Sequence, residues 1–134
     1  MSFSDWQDRY DLGIPEIDRE HRILFDLIGQ FHDAHAAGHG AARLDHVFHV
    51  LHQYVTNHFE HEQALFTASR YPHAKRHLKQ HEAFARDLDL LYRRYQEAGA
   101  PRLCIDLLGM LSNWWHFHVL EEDAEFGRHL RNGG

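Results

Sequence analysis

The chain has 134 residues, 43% of them hydrophobic, and a formal net charge of −6 with histidine neutral. This length suits one domain, residues 1–134, with a single core. The acidic charge and the lack of a long Lys/Arg run argue against a nucleic-acid partner, and no apolar run approaches the ~18–20 residues of a membrane span. One cysteine, Cys104, cannot form an internal disulfide, and the N-terminal sequence lacks a signal pattern, so we expect a reduced, cytoplasmic setting.

Apolar residues recur at helical spacing through most of the chain. The first 16 residues look irregular, but four of them are apolar enough to dock on a core: Trp6, Tyr10, Leu12 and Ile14. The pattern then predicts four long helices, over roughly 17–37, from Leu44 to Phe66, from Pro72 to Tyr95 and from Pro101 to His118. A short tail helix is predicted around Glu125 to Leu130. Long helices with short loops predict an all-α, antiparallel up-down-up-down four-helix bundle.

Histidine is the unusual component, with 15 in the chain. Five histidines lie on the predicted apolar faces of the four helices: His21, His58, His77, His81 and His118. His58 and Glu62 are four residues apart, as are His77 and His81, so each pair shares a helix face. Burying imidazoles without partners would cost about 1–3 kcal/mol each. A shared metal would remove that cost, so the pattern predicts a metal site between the helices.

Four segments, in this order, resemble the hemerythrin family, specifically its single-domain bacterial members. They are "LGIPEIDREHRILF" (12–25), "YVTNHFEHE" (54–62), "YPHAKRHLKQHEAF" (71–84) and "WWHFHVLEED" (114–123). The resemblance covers nearly the whole chain and implies a non-haem centre of two iron ions with an oxo or hydroxo bridge. The implied ligands are His77, His81 and His118 on one iron, His21 and His58 on the other, and Glu62 and Asp123 bridging both.

The last carboxylate ligand has an alternative. Glu122 follows His118 by four residues, the spacing that an α-helix favours, whereas Asp123 follows by five and lies about 140° around the helix. That rotation suits a ligand that leans between two irons, and the family pattern also has aspartate at this spacing. We therefore expect Asp123 to be the ligand, with Glu122 as the alternative.

The resemblance also implies that dioxygen binds at the open position of the two-histidine iron, in an apolar pocket. We expect the pocket walls to be Leu24, Phe59, Trp115 and Val119, each close in sequence to a ligand. Trp115 stands where the family more often has leucine. Its larger ring would narrow the entrance or slow oxidation, unless it rotates away from the site.

The ligand set favours reversible binding of dioxygen over its cleavage. Two ferrous ions, two carboxylates and one hydroxide leave a net charge of about +1, whereas ferritin-like sites have four glutamates. We therefore expect a protein of oxygen carriage, storage, delivery or sensing, with an oxygen-accepting or redox partner left open. The alternatives are an enzyme that reduces nitric oxide, peroxide or dioxygen, and a store for iron or another metal.

The other ten histidines are interpreted mainly as a solvated helix surface. His46, His49 and His52 are three residues apart, and His35 and His39 are four apart. Such spacing also suits a weak surface site for zinc, nickel or copper, or a pH-sensitive surface.

Overall fold

The computed structural model describes residues 5–99 and 102–132, so Pro101, expected to open the last long helix, lies outside the described residues. The α-helices are α1 (Pro15–Ala36), α2 (Leu44–Gln53), α3 (Phe59–Ser69), α4 (Ala74–Ala98), α5 (Leu103–Asn113) and α6 (Ala124–Arg131). Two π-helical segments, Tyr54–His58 and Trp114–Asp123, join α2 to α3 and α5 to α6. The described helices therefore form four long rods: the first is α1, the second is α2 with α3, the third is α4, and the fourth is α5 with α6. This confirms the predicted all-α four-helix bundle.

The predicted tail helix is α6, and it continues the fourth rod instead of forming a separate element. Its first residues keep right-handed helical geometry, with φ of −67° at Asp123 and −63° at Ala124. The sequence between His118 and α6 contains no proline or glycine that would end the rod. The second rod ends differently, at Arg70, whose φ of 54° places it in the left-handed conformation of a helix C-terminus.

The N-terminal arm packs against the bundle. Tyr10 and Leu12 are buried, and Trp6 packs against the main core. Asp18 at the start of α1 accepts hydrogen bonds from the backbone N–H groups of Leu12 (2.7 Å) and Gly13 (3.1 Å). The guanidinium of Arg131 in α6 donates to the carbonyl of Leu12. These polar contacts fix the arm to the first and the last helix, and the burial of Tyr10 and Leu12 agrees with the predicted docking of the arm on a core.

Apolar packing flanks a polar centre in the bundle. The main core contains Phe59 of α3 and Trp114 of the fourth rod, whereas a smaller core contains Phe66 and Phe126 further along the same two rods. The stretch between the two cores on each rod carries buried polar side chains. Among the described helices, none combines the length and apolarity that crossing a membrane requires.

Candidate metal centre

Seven polar side chains are buried between the rods, each at most 3% exposed. They are His21, His58, Glu62, His77, His81, His118 and Asp123. These are the seven residues that the family resemblance implies as ligands. Their ligand atoms form two overlapping groups, one with three histidines (His77, His81, His118) and one with two (His21, His58). Glu62 and Asp123 belong to both groups, so two ions bound in these groups would share their carboxylate ligands.

Asp123 lies between the two groups of histidines. Its Oδ1 is 2.7 Å from Nε2 of His77 and 3.1 Å from Nε2 of His118. Its Oδ2 is 2.9 Å from Nε2 of His21, on the other side. Each oxygen therefore faces a different group, as a bridging carboxylate requires.

Glu62 occupies the second shared position. Its Oε1 is 3.0 Å from Nε2 of His81 and 3.5 Å from Nε2 of both His77 and His58. His77 and His81 come from α4, whereas His58 is four residues before Glu62 on the second rod. One carboxylate oxygen therefore lies within reach of both groups.

The buried polar atoms fit metal ions better than they fit hydrogen bonds. Several of these buried atoms have no aligned hydrogen-bond partner within the described part of the chain. They are Nδ1 and Nε2 of His21, Nε2 of His58, Oε2 of Glu62, and Oδ1 and Oδ2 of Asp123. Leaving such atoms unpaired costs about 1–3 kcal/mol each. Ligands at right angles on an octahedral ion with bonds of about 2.1 Å lie about 3.0 Å apart, and Nε2 of His77 and Nε2 of His118 are 2.9 Å apart. Imidazole and carboxylate together suit iron and related divalent metals.

The π-helical geometry of the fourth rod brings Asp123, and not Glu122, into the centre. A π-helix bonds residue i to residue i+5, so residues five apart lie on the same side. The expectation that Asp123 lies about 140° from His118 is wrong, because both residues belong to the π-helical segment Trp114–Asp123. Glu122 turns outward and accepts from the Arg76 guanidinium, with Nη2 and Oε2 3.0 Å apart.

The histidines around the two carboxylates favour their charged forms despite their burial. Burial and the charge of Asp123 raise the pKa of Glu62, but His58 and hydrogen bonds from the α4 histidines outweigh them and lower it to about 2. Burial also opposes the charge of Asp123, yet His118 and the other facing histidines hold its pKa well below the usual value. Burial lowers the pKa of His77, but the two carboxylates raise it to about 9. The centre therefore attracts cations, and metal binding would displace protons from it.

Residues next to ligands in sequence contact the outer nitrogens of three histidines. Nδ1–H of His58 donates to Oε1 of Glu20 (3.0 Å), and Nδ1–H of His118 donates to Oε1 of Gln80 (2.6 Å). Nε2 of Gln63 lies 3.5 Å from Nδ1 of His81. The acceptor oxygens of Glu20 and Gln80 fix the orientation of the His58 and His118 rings and leave their Nε2 atoms free for a metal, whereas the Gln63 amide nitrogen is a donor facing Nδ1 of His81. Sequence reasoning did not find these contacts, although each residue adjoins a predicted ligand: Glu20 and His21, Gln80 and His81, Gln63 and Glu62.

Aromatic rings also hold the ligand rings in place. Three pairs are stacked with ring centroids less than 5 Å apart: Phe59 on His81 at 3.8 Å, Trp114 on His118 at 3.7 Å, and Tyr54 on His58 at 4.6 Å. The indole N–H of Trp114 donates to the Tyr54 hydroxyl (3.1 Å). These contacts restrict the rotation of one histidine of the two-histidine group and two of the three-histidine group.

All four predicted pocket residues are buried, but they lie against different parts of the centre: Leu24, Phe59, Trp115 and Val119. Phe59 stacks on His81 and so adjoins the three-histidine group. Trp115 lies beside the two-histidine group. Its ring and that of His21 are nearly perpendicular, with 6.5 Å between the ring centroids. Trp115 does not rotate away, because Tyr10 and Phe25 pack against its ring at 5.4 and 5.2 Å.

Most histidines outside the centre contact surface or backbone groups. His52 lies near Asp89, His73 near Glu125, and His129 contacts the Ser69 carbonyl. In the described part of the chain, one further group has the spacing of metal ligands, and it lies nearer the surface: Glu16, Glu20 and His61. The repeated spacing of His46, His49 and His52 does not gather them into such a group.

Five histidines and two carboxylates are buried in the bundle as two overlapping groups of metal-ligand type. The fold and this site together define a non-haem metal-binding protein. The chain belongs to the hemerythrin family, because the model of the hemerythrin HHE cation binding domain matches residues 12–130.

Relatives named bacteriohemerythrin match most of the chain. The protein of Pseudomonas aeruginosa strain LESB58 is 33% identical over 126 residues, which cover 94% of this chain and 80% of the relative. The protein of Stenotrophomonas maltophilia is 28% identical, with 98% and 84% covered. The protein of Clostridium acetobutylicum is 23% identical, with 90% and 96% covered.

Proposed function

We propose that this protein binds dioxygen reversibly at a centre of two iron ions held by the seven buried side chains. The observation that carries the proposal is the sharing of Glu62 and Asp123 between a group of three histidines and a group of two. Two ions bridged by the same two carboxylates account for both groups at once. Iron, when bound, supplies the electrons that dioxygen takes.

The unequal number of histidines indicates where an external ligand enters. Both groups use the same two carboxylates, so the group with His21 and His58 offers one protein ligand fewer than the other. We infer that the open position lies on this side. Trp115 adjoins His21 here and is fully buried, and its aromatic neighbours exclude water from this side of the centre. Low water access protects a bound ligand from protons.

The charge of the ligand set favours binding over cleavage of dioxygen. Five neutral imidazoles and two carboxylates donate less negative charge than the four carboxylates of ferritin-like centres. High-valent iron is therefore harder to reach, and release of intact dioxygen is favoured. Buried, free Cys104 suits a reduced, cytoplasmic setting for this role, and oxygen delivery would require an accepting protein.

Iron content and oxygen uptake test the proposal together. The reduced protein, loaded with ferrous iron without air, should hold about two irons per chain and take up about one dioxygen per pair. Lowering the oxygen pressure should return that dioxygen. Continuous oxygen consumption with an added reductant would instead support an enzyme that reduces dioxygen, and iron content far above two per chain would support metal storage.

A further inference from the structure

Glu20 connects the first two helical rods beside the metal centre. One carboxylate oxygen, Oε1, accepts from Nδ1 of His58 at 3.0 Å, and the other, Oε2, lies 2.7 Å from Nδ1 of His61. His58 and His61 are on the second rod, whereas Glu20 is on α1 and 16% exposed. Both oxygens of Glu20 are therefore held by residues about 40 positions away in sequence.

Glu20 and its neighbour His21 serve the same side of the centre. Successive residues of an α-helix point about 100° apart, so His21 faces the interior while Glu20 faces the second rod. Nε2 of His21 approaches Asp123, and Glu20 reaches the outer nitrogen of His58. Of two adjacent residues of α1, His21 is thus one histidine of the two-histidine group, and Glu20 holds the other histidine, His58, by a hydrogen bond.

The contact selects the tautomer of His58. Because the Glu20 carboxylate only accepts, Nδ1 of His58 carries a hydrogen, so in the neutral ring the lone pair is on Nε2, the nitrogen that a metal would bind. That Nε2 is buried, has no aligned hydrogen-bond partner and lies 3.5 Å from Oε1 of Glu62. A carboxylate also makes the imidazole a stronger electron donor than a neutral partner does.

No other histidine of the centre has a carboxylate at its outer nitrogen within residues 5–99 and 102–132. Nδ1 of His118 donates to a neutral amide, and Nδ1 of His81 lies 3.5 Å from another amide. Nδ1 of both His21 and His77 has no partner there. Among these five histidines, Glu20 therefore contacts only one from the two-histidine group and none from the three-histidine group.

We propose that Glu20 is a positioning residue that holds His58 and strengthens metal binding specifically at the two-histidine ion, where the external ligand enters. The inference rests on the proposed two-iron centre and deepens it. Glu20 belongs to neither of the two buried ligand groups and would act through His58. The two-histidine group has one ligand fewer, and the contact with Glu20 would partly offset the weaker metal binding that results.

The test is the rate at which a ferrous chelator removes iron from the anaerobic full-length protein, with Mössbauer spectra of the same ⁵⁷Fe-loaded samples. In Glu20→Ala, about half of the iron should leave about 10–100-fold faster, the usual cost of losing such a partner. The other half should leave at the wild-type rate, and one of two Mössbauer components should change. Glu20→Gln keeps an oxygen acceptor for His58 and should restore much of the loss.

Glu16→Ala is the matched control, because Glu16 lies one turn earlier on α1 and approaches His61 (3.3 Å) but not His58. It should leave both release rates unchanged. Equal acceleration of both halves in Glu20→Ala, no acceleration, or an equal effect of Glu16→Ala would overturn the inference. Wild-type protein that binds fewer than two irons would contradict the proposed function as well, whereas two irons with an unaffected Glu20→Ala variant would contradict the inference alone.

Discussion

Replacing Asp123 with alanine should abolish assembly of the metal centre. One oxygen of Asp123 faces His77 (2.7 Å) and His118 (3.1 Å), and the other faces His21 (2.9 Å). The substitution removes one proposed ligand from each ion. Loss of an outer-shell partner already weakens metal binding about 10–100-fold, so loss of a shared ligand should weaken it at least about 100-fold, or about 3 kcal/mol.

Glu122→Ala is the matched comparison, because it removes the neighbouring carboxylate from the surface of the same rod. Glu122 pairs with Arg76 at a partly exposed position, and such pairs contribute about 0.2–1 kcal/mol to stability. Both variants are loaded with ferrous iron, desalted without air and assayed for iron. Asp123→Ala should retain almost none and Glu122→Ala about two per chain. Full retention in Asp123→Ala, or loss in Glu122→Ala alone, would refute the assignment.

Three other predictions concern the second bridge, the pocket and the metal-free protein. Glu62→Ala should lose the iron, whereas His46→Ala should keep it, and equal iron content would contradict the assignment. Trp115→Leu should lower stability by about 1–3 kcal/mol in denaturant unfolding, because it leaves a cavity, and should speed oxidation in air severalfold; an unchanged oxidation rate would show that Trp115 does not restrict access. Protonated His77 stabilises the folded, metal-free protein, because folding raises its pKa from 6.5 to about 9. This stabilisation is complete below pH 6.5 and is lost as the pH rises through 9. The lowered pKa of Glu62, about 2, contributes stability that is present above pH 4.5 and lost as the pH falls through 2. The metal-free protein should therefore have its highest Tm between about pH 4.5 and 6.5, and a Tm that rises steadily from pH 6.5 to 9 would contradict these shifts.

The helical fold was predictable because apolar spacing is a local property of the sequence. The π-helical segments Tyr54–His58 and Trp114–Asp123 were not predicted, since a π-helix keeps the rod continuous and changes only the angle between successive side chains. That change decides the position of Asp123 relative to His118. The structure places Asp123 in the buried cluster and Glu122 beside Arg76, although the α-helical angle used to choose between them was wrong.

Contacts between rods were harder to predict than the ligands themselves. The ligand histidines combine family resemblance with positions on apolar faces, and both signals are visible in sequence. The contact of Glu20 with His58 spans 38 residues and depends on how two rods pack. Phe59 illustrates the same limit, because its position next to His58 in sequence did not reveal that its ring stacks on His81.

A visible absorption spectrum of the reduced, iron-loaded protein tests the central claim most directly. The spectrum is recorded without air, after exposure to air and again after flushing with argon. Reversible binding predicts a new visible band that appears in air and disappears under argon, through repeated cycles. Irreversible conversion to a ferric spectrum, with no band that argon removes, would contradict reversible dioxygen binding and favour oxidation or turnover at the same centre.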